Sequence, residues 1–113
     1  MNQPIRSNCP IACTLDLIGD RWTLLIIRDM MFFDKKRFDE FLDSAEGIST
    51  NILASRLKSL EASGLVEKKP YSNHPRRMNY HLTERGESLR PVLKMMAKWG
   101  LKHLPDTEIP ENG

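Results

Sequence analysis

The stretch "GISTNILASRLKSLEASGLVEKK", residues 47–69, constrains the fold more than any other part of the chain, because both ends of a helix are written into it. Ser49 suits an N-cap, and Ile48 and Leu53 stand where a hydrophobic staple would close around it. At the far end Gly64 fits the left-handed position that follows a helix, with Leu65 able to fold back on Leu60 as in a Schellman stop. The stretch therefore predicts a helix from Thr50 to about Ser63. Leu53, Leu57 and Leu60 fall on one side of it and Asn51, Ala54, Ser55, Lys58 and Ala62 on the other. The outward side is polar, short-chained and free of acids, whereas a plain solvated helix more often carries Glu/Lys pairs.

The residues after this helix narrow the fold further. "LVEKKPY" and "RMNYHL" read as two strands around the turn-rich "SNHPR". Met78, Tyr80 and Leu82 share one face of the second strand, and Asn79 and His81 share the other. Pro70 has no N–H to give to a ladder, so the first strand is an edge strand or is interrupted there. Ahead of the helix lies a short amphipathic segment, "DKKRFDEFLDSAEG", with Phe38, Phe41 and Leu42 inward and a stop near Gly47. Helix, tight Gly-containing turn, helix and hairpin is the order of a winged helix-turn-helix.

The remaining elements are helical. Pro10 suits the first position of a helix through "IACTLDLIGD", in which Ile11, Leu15 and Ile18 keep helical spacing. Asp20 can cap a second helix, "RWTLLIIRDMMFF", apolar around nearly its whole circumference and so expected at the buried centre. Thr83 opens a last helix with Leu89, Val92, Leu93, Met96 and Trp99 at helical spacing, which Pro91 should kink or divide. The expected class is mainly α with a small β-hairpin (α+β). Residues 1–8 are expected to be a flexible N-terminus, 9–104 a single winged helix-turn-helix domain, and 105–113, with two prolines and three acids, a disordered tail.

At 113 residues one hydrophobic core is the natural expectation. The longest apolar run, "WTLLII", is far short of the roughly 20 residues that cross a bilayer, which argues against a membrane partner. No signal-peptide pattern opens the sequence, so the cytoplasm is the expected location.

Net charge is only +2, but residues 49–82 hold six basic and two acidic side chains and the rest of the chain is net negative. A regional basic excess is the expected electrostatic footprint of a nucleic-acid binder. Double-stranded DNA is therefore the expected partner. The major groove admits one α-helix, and a basic hairpin can reach neighbouring phosphates. Asn51, Ser55 and Lys58 are the candidates for base edges. Ser49, Thr50, Lys36 and Arg37 are the candidates for phosphates, and Arg76 and Arg77 for the wing contact.

Other chemistry is not indicated. The three histidines and two cysteines have no zinc spacing, so no metal and no cofactor are expected. There is no Gly-rich phosphate loop after a strand, no Ser/His/Asp arrangement and no paired carboxylates in an identifiable pocket, so an enzyme is not expected. A winged-helix module that binds protein rather than DNA is the alternative.

Four motifs in order, "CPIACTLDLIGDRWTLLII", "KRFDEF", "GISTNILASRLKSLEASGLVEKK" and "NYHLTERGESLRPVL" with a later "KWG", make the chain resemble the HxlR-type winged helix-turn-helix regulators of bacteria and archaea. The likeness spans residues 9–103. It implies a homodimeric transcription factor on a pseudo-palindromic operator, with the first and last helices forming the dimer interface and the fourth in the major groove.

Some regulators of this kind sense electrophiles, oxidants or aldehydes through a cysteine at the position of Cys9, which makes Cys9 the redox-sensing candidate. A thiol at a helix N-terminus faces the positive end of the dipole, which favours the thiolate. The bland alternative is a small residue beside a capping site. Cys13 lies one turn on and reads as packing, a departure from the single-cysteine pattern that leaves open which thiol reacts. A Cys9–Cys13 disulfide is disfavoured by helical geometry, and a bond across the dimer is the better oxidised form.

Overall fold

The computed structural model describes residues 6–71 and 74–109, with the side chains of 71–76 outside that description. The order is α1 (Pro10–Ile18), α2 (Thr23–Phe32), α3 (Phe38–Phe41), α4 (Thr50–Ala62), β1 (Val66–Tyr71), β2 (His74–Leu82), α5 (Glu84–Glu87) and α6 (Arg90–His103). The two strands form one antiparallel hairpin, with Val66 opposite Leu82 and Lys69 opposite Asn79. Its register becomes irregular between Pro70 and Tyr71, at the proline that cannot donate.

The core is built where the helical stripes converge. Ile26, Ile27 and Met30 of α2, Phe41 of α3, Leu53, Leu57 and Leu60 of α4, and Leu65 and Val66 at the start of the hairpin are all buried. Tyr80 and Leu82 pack against this cluster from β2, and Tyr80 sets its ring edge-on to Phe41 with centroids 6.3 Å apart. Burying such a set, at about 1.5–3 kcal/mol for each large apolar side chain, is what offsets the ordering of the helices.

Both marked ends of α4 form as expected. The Ser49 hydroxyl accepts from the Ile52 N–H at 3.2 Å, and Ile48 and Leu53 are buried beside it. The Leu65 N–H donates to Leu60 O at 3.0 Å and the Gly64 N–H to Glu61 O at 3.1 Å, the two bonds of a Schellman motif, with Gly64 at φ +78°. Asp20 caps α2, its carboxylate accepting from the Trp22 and Thr23 N–H groups at 3.0 and 3.1 Å and from the Thr23 hydroxyl.

One open alternative is resolved, and two elements differ from the expectation. The last helix is divided rather than kinked: α5 is one turn capped by the Thr83 hydroxyl, and α6 restarts with Pro91 in its first turn. A proline there forfeits no helical hydrogen bond, so division costs less than a kink. The third helix shrinks to four residues, of which Phe41 is buried while Phe38 and Leu42 are half-buried. In α1 only Ile18 is buried; Ile11 is 71% exposed and Leu15 54%, so the described residues leave most of the apolar side of this helix uncovered.

At the termini, Arg6 pairs with Asp16 at 2.6 Å, and the Thr107 hydroxyl donates to Gly100 O and Leu104 O at the end of α6.

Candidate nucleic-acid interface

The polar side of α4 is presented whole. Thr50, Asn51, Ala54, Ser55 and Lys58 are all exposed, while the stripe of three leucines behind them is sealed. The helix is therefore carried by its leucines and leaves its outward side free for another surface. Glu61, its one acid, sits in the last turn and is half-buried.

The turn that delivers α4 is held by a charged cluster that sequence patterns did not reveal. Arg28 of α2 grips Glu46 with both terminal nitrogens, at 2.8 and 2.9 Å, and also donates to Asp29 at 2.8 and 3.0 Å. Asp29 is 1% exposed; its other carboxylate oxygen receives the Ser44 hydroxyl and lies 3.7 Å from Lys35 Nζ. Hydrogen bonds from Arg28, opposed by burial, hold the Glu46 carboxyl below the ordinary glutamate value. The same bonds to Glu46, opposed by burial and joined by those to Asp29, push the Arg28 guanidinium above its already high value. The cluster ties α2, the end of α3 and the approach to α4 into one frame.

A second basic segment lies beside the hairpin. The Tyr80 N–H donates to Lys36 O at 2.7 Å, docking the loop before α3 against β2. The Glu40 carboxylate accepts from the Lys36 and Arg37 N–H groups at 2.8 and 2.9 Å, and those bonds keep its pKa below the ordinary value. Their side chains meet nearby acids, Lys36 with Asp34 at 3.8 Å and Arg37 with Asp39 at 3.3 Å and Glu40 at 3.8 Å, and remain 44% exposed. Exposed ion pairs of this kind contribute little, so both cations are free to exchange partners. In the hairpin Lys68, Lys69 and Arg77 are exposed; the Arg76 side chain lies outside the described residues.

Sequence reasoning missed Arg56. It lies on the flank of α4 with Nη1 3.7 Å from Asp20 Oδ2 and Nη2 donating to the Ser55 hydroxyl at 3.1 Å. Burial pushes the Asp20 carboxyl up, but hydrogen bonds from Thr23 and Trp22 and the charge of Arg56 outweigh it and leave the pKa lowered. A shallow cleft of about 290 Å³ opens here, lined by Asp20, Trp22, Asn51, Ile52, Ser55 and Arg56. Asp20 was legible as a cap; its second partner, 36 positions on, had no local signal.

Away from this surface, Cys9 is the exposed N-cap of α1, and Cys13 is also exposed, its thiol donating to Ser7 O at 3.4 Å. A cleft of about 560 Å³ separates α1, α2 and α6, lined by Ile11, Leu15, Leu24, Val92 and Met96 among others. Among the described residues there is no group of three metal-ligating side chains, and no helix is long and apolar enough to cross a membrane.

The family model described as HxlR-like helix-turn-helix matches residues 17–108. The chain belongs to the HxlR-like family. Among its relatives, the uncharacterized HTH-type transcriptional regulator YybR of Bacillus subtilis is 37% identical over 97 residues, 86% of this chain and 77% of that protein. Another, Mb3122 of Mycobacterium bovis, is 42% identical over 100 residues, 88% of this chain but only 62% of its own length. In three dimensions the chain is similar to the redox regulator HypR in its reduced form, with TM-score 0.76 and 35% identity over 86% of this chain and 95% of that one. The winged architecture expected from helix, turn, helix and hairpin is that of these HxlR-like regulators.

Proposed function

We propose that this HxlR-like protein is a DNA-binding transcriptional regulator that reads a pseudo-palindromic operator as a homodimer in the cytoplasm. The observation that carries the reading is the outward side of α4, exposed along its length and acid-free until its last turn, on a helix whose other side is fully buried. In this reading Asn51, Ser55 and Lys58 meet base edges. Lys36, Arg37, Ser49 and Thr50 meet phosphates, and Arg76 and Arg77 extend the contact along the wing. Cys9, exposed at the head of α1, is the thiol through which an oxidant or small electrophile acts, a role supported by the likeness to the redox regulator HypR. No cofactor or metal takes part in the reading.

Selection of bound genomic fragments, followed by two substitutions, tests the proposal. Lys58→Ala is expected to change base preference. Arg77→Ala is expected to weaken all duplexes alike and to reduce the salt slope of log K by about 0.9, the share of one phosphate. Equal weakening by both with unchanged preference removes α4 as the reader. Binding to a protein partner that is insensitive to salt, with no duplex selected, favours the protein-binding module instead.

A further inference from the structure

We infer that the first half of α4 reads an A·T pair, Asn51 taking adenine and Ile52 meeting the 5-methyl group of thymine. The inference rests on α4 being the DNA reader and names what it reads. Ile52 is 37% exposed, an apolar side chain beside the otherwise polar outward side of the helix. Its backbone N–H is engaged by the Ser49 cap, which fixes its place in the first turn. The N-terminal residues of a recognition helix are those that approach base edges.

Major-groove chemistry assigns the partners. An asparagine amide matches adenine N6 and N7 in two hydrogen bonds, and an apolar side chain matches the thymine methyl, the one apolar group displayed there. The usual guanine reader is arginine, and Arg56 is the one arginine of α4. Its guanidinium is occupied at both ends, beside Asp20 at 3.7 Å and donating to Ser55 at 3.1 Å. A guanine contact then falls to Lys58, two turns beyond Asn51, and the first half of the helix is left with Asn51, Ile52 and the permissive hydroxyl of Ser55.

Atom-level changes in the DNA test this with the full-length protein. From a selected operator, each thymine is replaced in turn by deoxyuridine, which removes only the methyl, and each adenine by 7-deazaadenine, which removes only N7. One deoxyuridine position in each half-site is expected to weaken binding about fourfold, the worth of one buried methyl-sized group. That loss disappears in Ile52→Ala and persists in part in Ile52→Val. One 7-deazaadenine position is expected to weaken binding about tenfold in the parent and not in Asn51→Ala.

Deoxyuridine losses of equal size in the parent and in Ile52→Ala, or no sensitive thymine at all, overturn the inference. An operator with G·C at the positions protected by the first turn of α4 does so too. In these cases α4 remains a DNA reader. If no fragment is selected, the DNA-reading function itself fails, and the inference with it.

Discussion

Asp29 is a carboxylate held out of water, and its partners decide whether that is tolerable. Arg28, Lys35 and Ser44 surround it, and Arg28 in turn holds Glu46. Arg28→Met removes the two-armed cation and leaves Asp29 with a lysine at 3.7 Å and a hydroxyl. The expected cost is about 3–5 kcal/mol, read by urea unfolding. Glu46 shares the acid dependence with Glu40 and Asp20, whose carboxyls are also held below their ordinary values. The folded pKa of Glu46 lies below the ordinary 4.5, so the Arg28–Glu46 contribution is present in full above that value and is lost as pH falls through the depressed one. Glu46→Gln is therefore expected to lower stability at pH 7 and to flatten the acid limb; an unchanged limb between pH 5 and pH 3 places the titration elsewhere. Cys9 makes a functional prediction at the same scale: Cys9→Ser abolishes operator release by diamide, whereas release that persists in Cys9→Ser and is lost in Cys13→Ser transfers the sensing role. Local chemistry was legible at these residues and distant chemistry was not. Ser49 and Asp20 act within four positions of themselves, so their caps could be read from sequence. Arg28 with Glu46 and Asp20 with Arg56 meet only after α2 and α4 have packed.

At the scale of elements, end signals placed α4, the Asp20 cap and an all-round apolar segment placed α2, and alternation around a turn-rich tip placed the hairpin. Periodicity alone left open whether Pro91 kinks or divides the last helix. Thr83 and Pro91 each start a helix, so the long apolar pattern became α5 and α6. The junction between α5 and the rest of the molecule depends on Gly86, which is buried. On propensity alone Gly86→Ala in a helix gains about 1 kcal/mol. Here a Cβ would stand 2.2 Å from Leu65 O and 3.0 Å from Leu82 Cδ2. The first of these is backbone, already receiving the Thr83 N–H at 3.1 Å, and it cannot swing aside. Overpacking of about 1–3 kcal/mol is expected to win, so Gly86→Ala should lower Tm. A raised Tm would mean that α5 can move away from the α4–β1 turn at no cost, contrary to its close approach to Leu65.

Across the whole molecule, the apolar surface is unevenly distributed, and that asymmetry bears on assembly. Ile11 and Leu15 of α1 and Met95, Met96 and Trp99 of α6 are more than half exposed, and the cleft between the two helices is lined largely by apolar groups. Patches of this kind mark interaction sites in folded proteins. The helical spacing of these residues was plain in the sequence, but spacing alone says that a face is apolar and not whether the chain itself covers it. A second copy related by a two-fold axis would cover it, and an operator with half-sites one turn apart would require the two α4 helices about 34 Å apart. Ile11→Glu and Met96→Glu each put a charge into that face without touching the buried core. Sedimentation is expected to shift from two chains to one, with the thermal melt of the folded chain retained. Loss of the second reading helix should then weaken a two-half-site operator by about 10²- to 10⁴-fold, the gain that linkage confers. Binding to a duplex with a single half-site should hardly change. If both variants remain dimeric, or if the single half-site weakens as much as the full operator, the α1/α6 face is not what pairs the two reading helices.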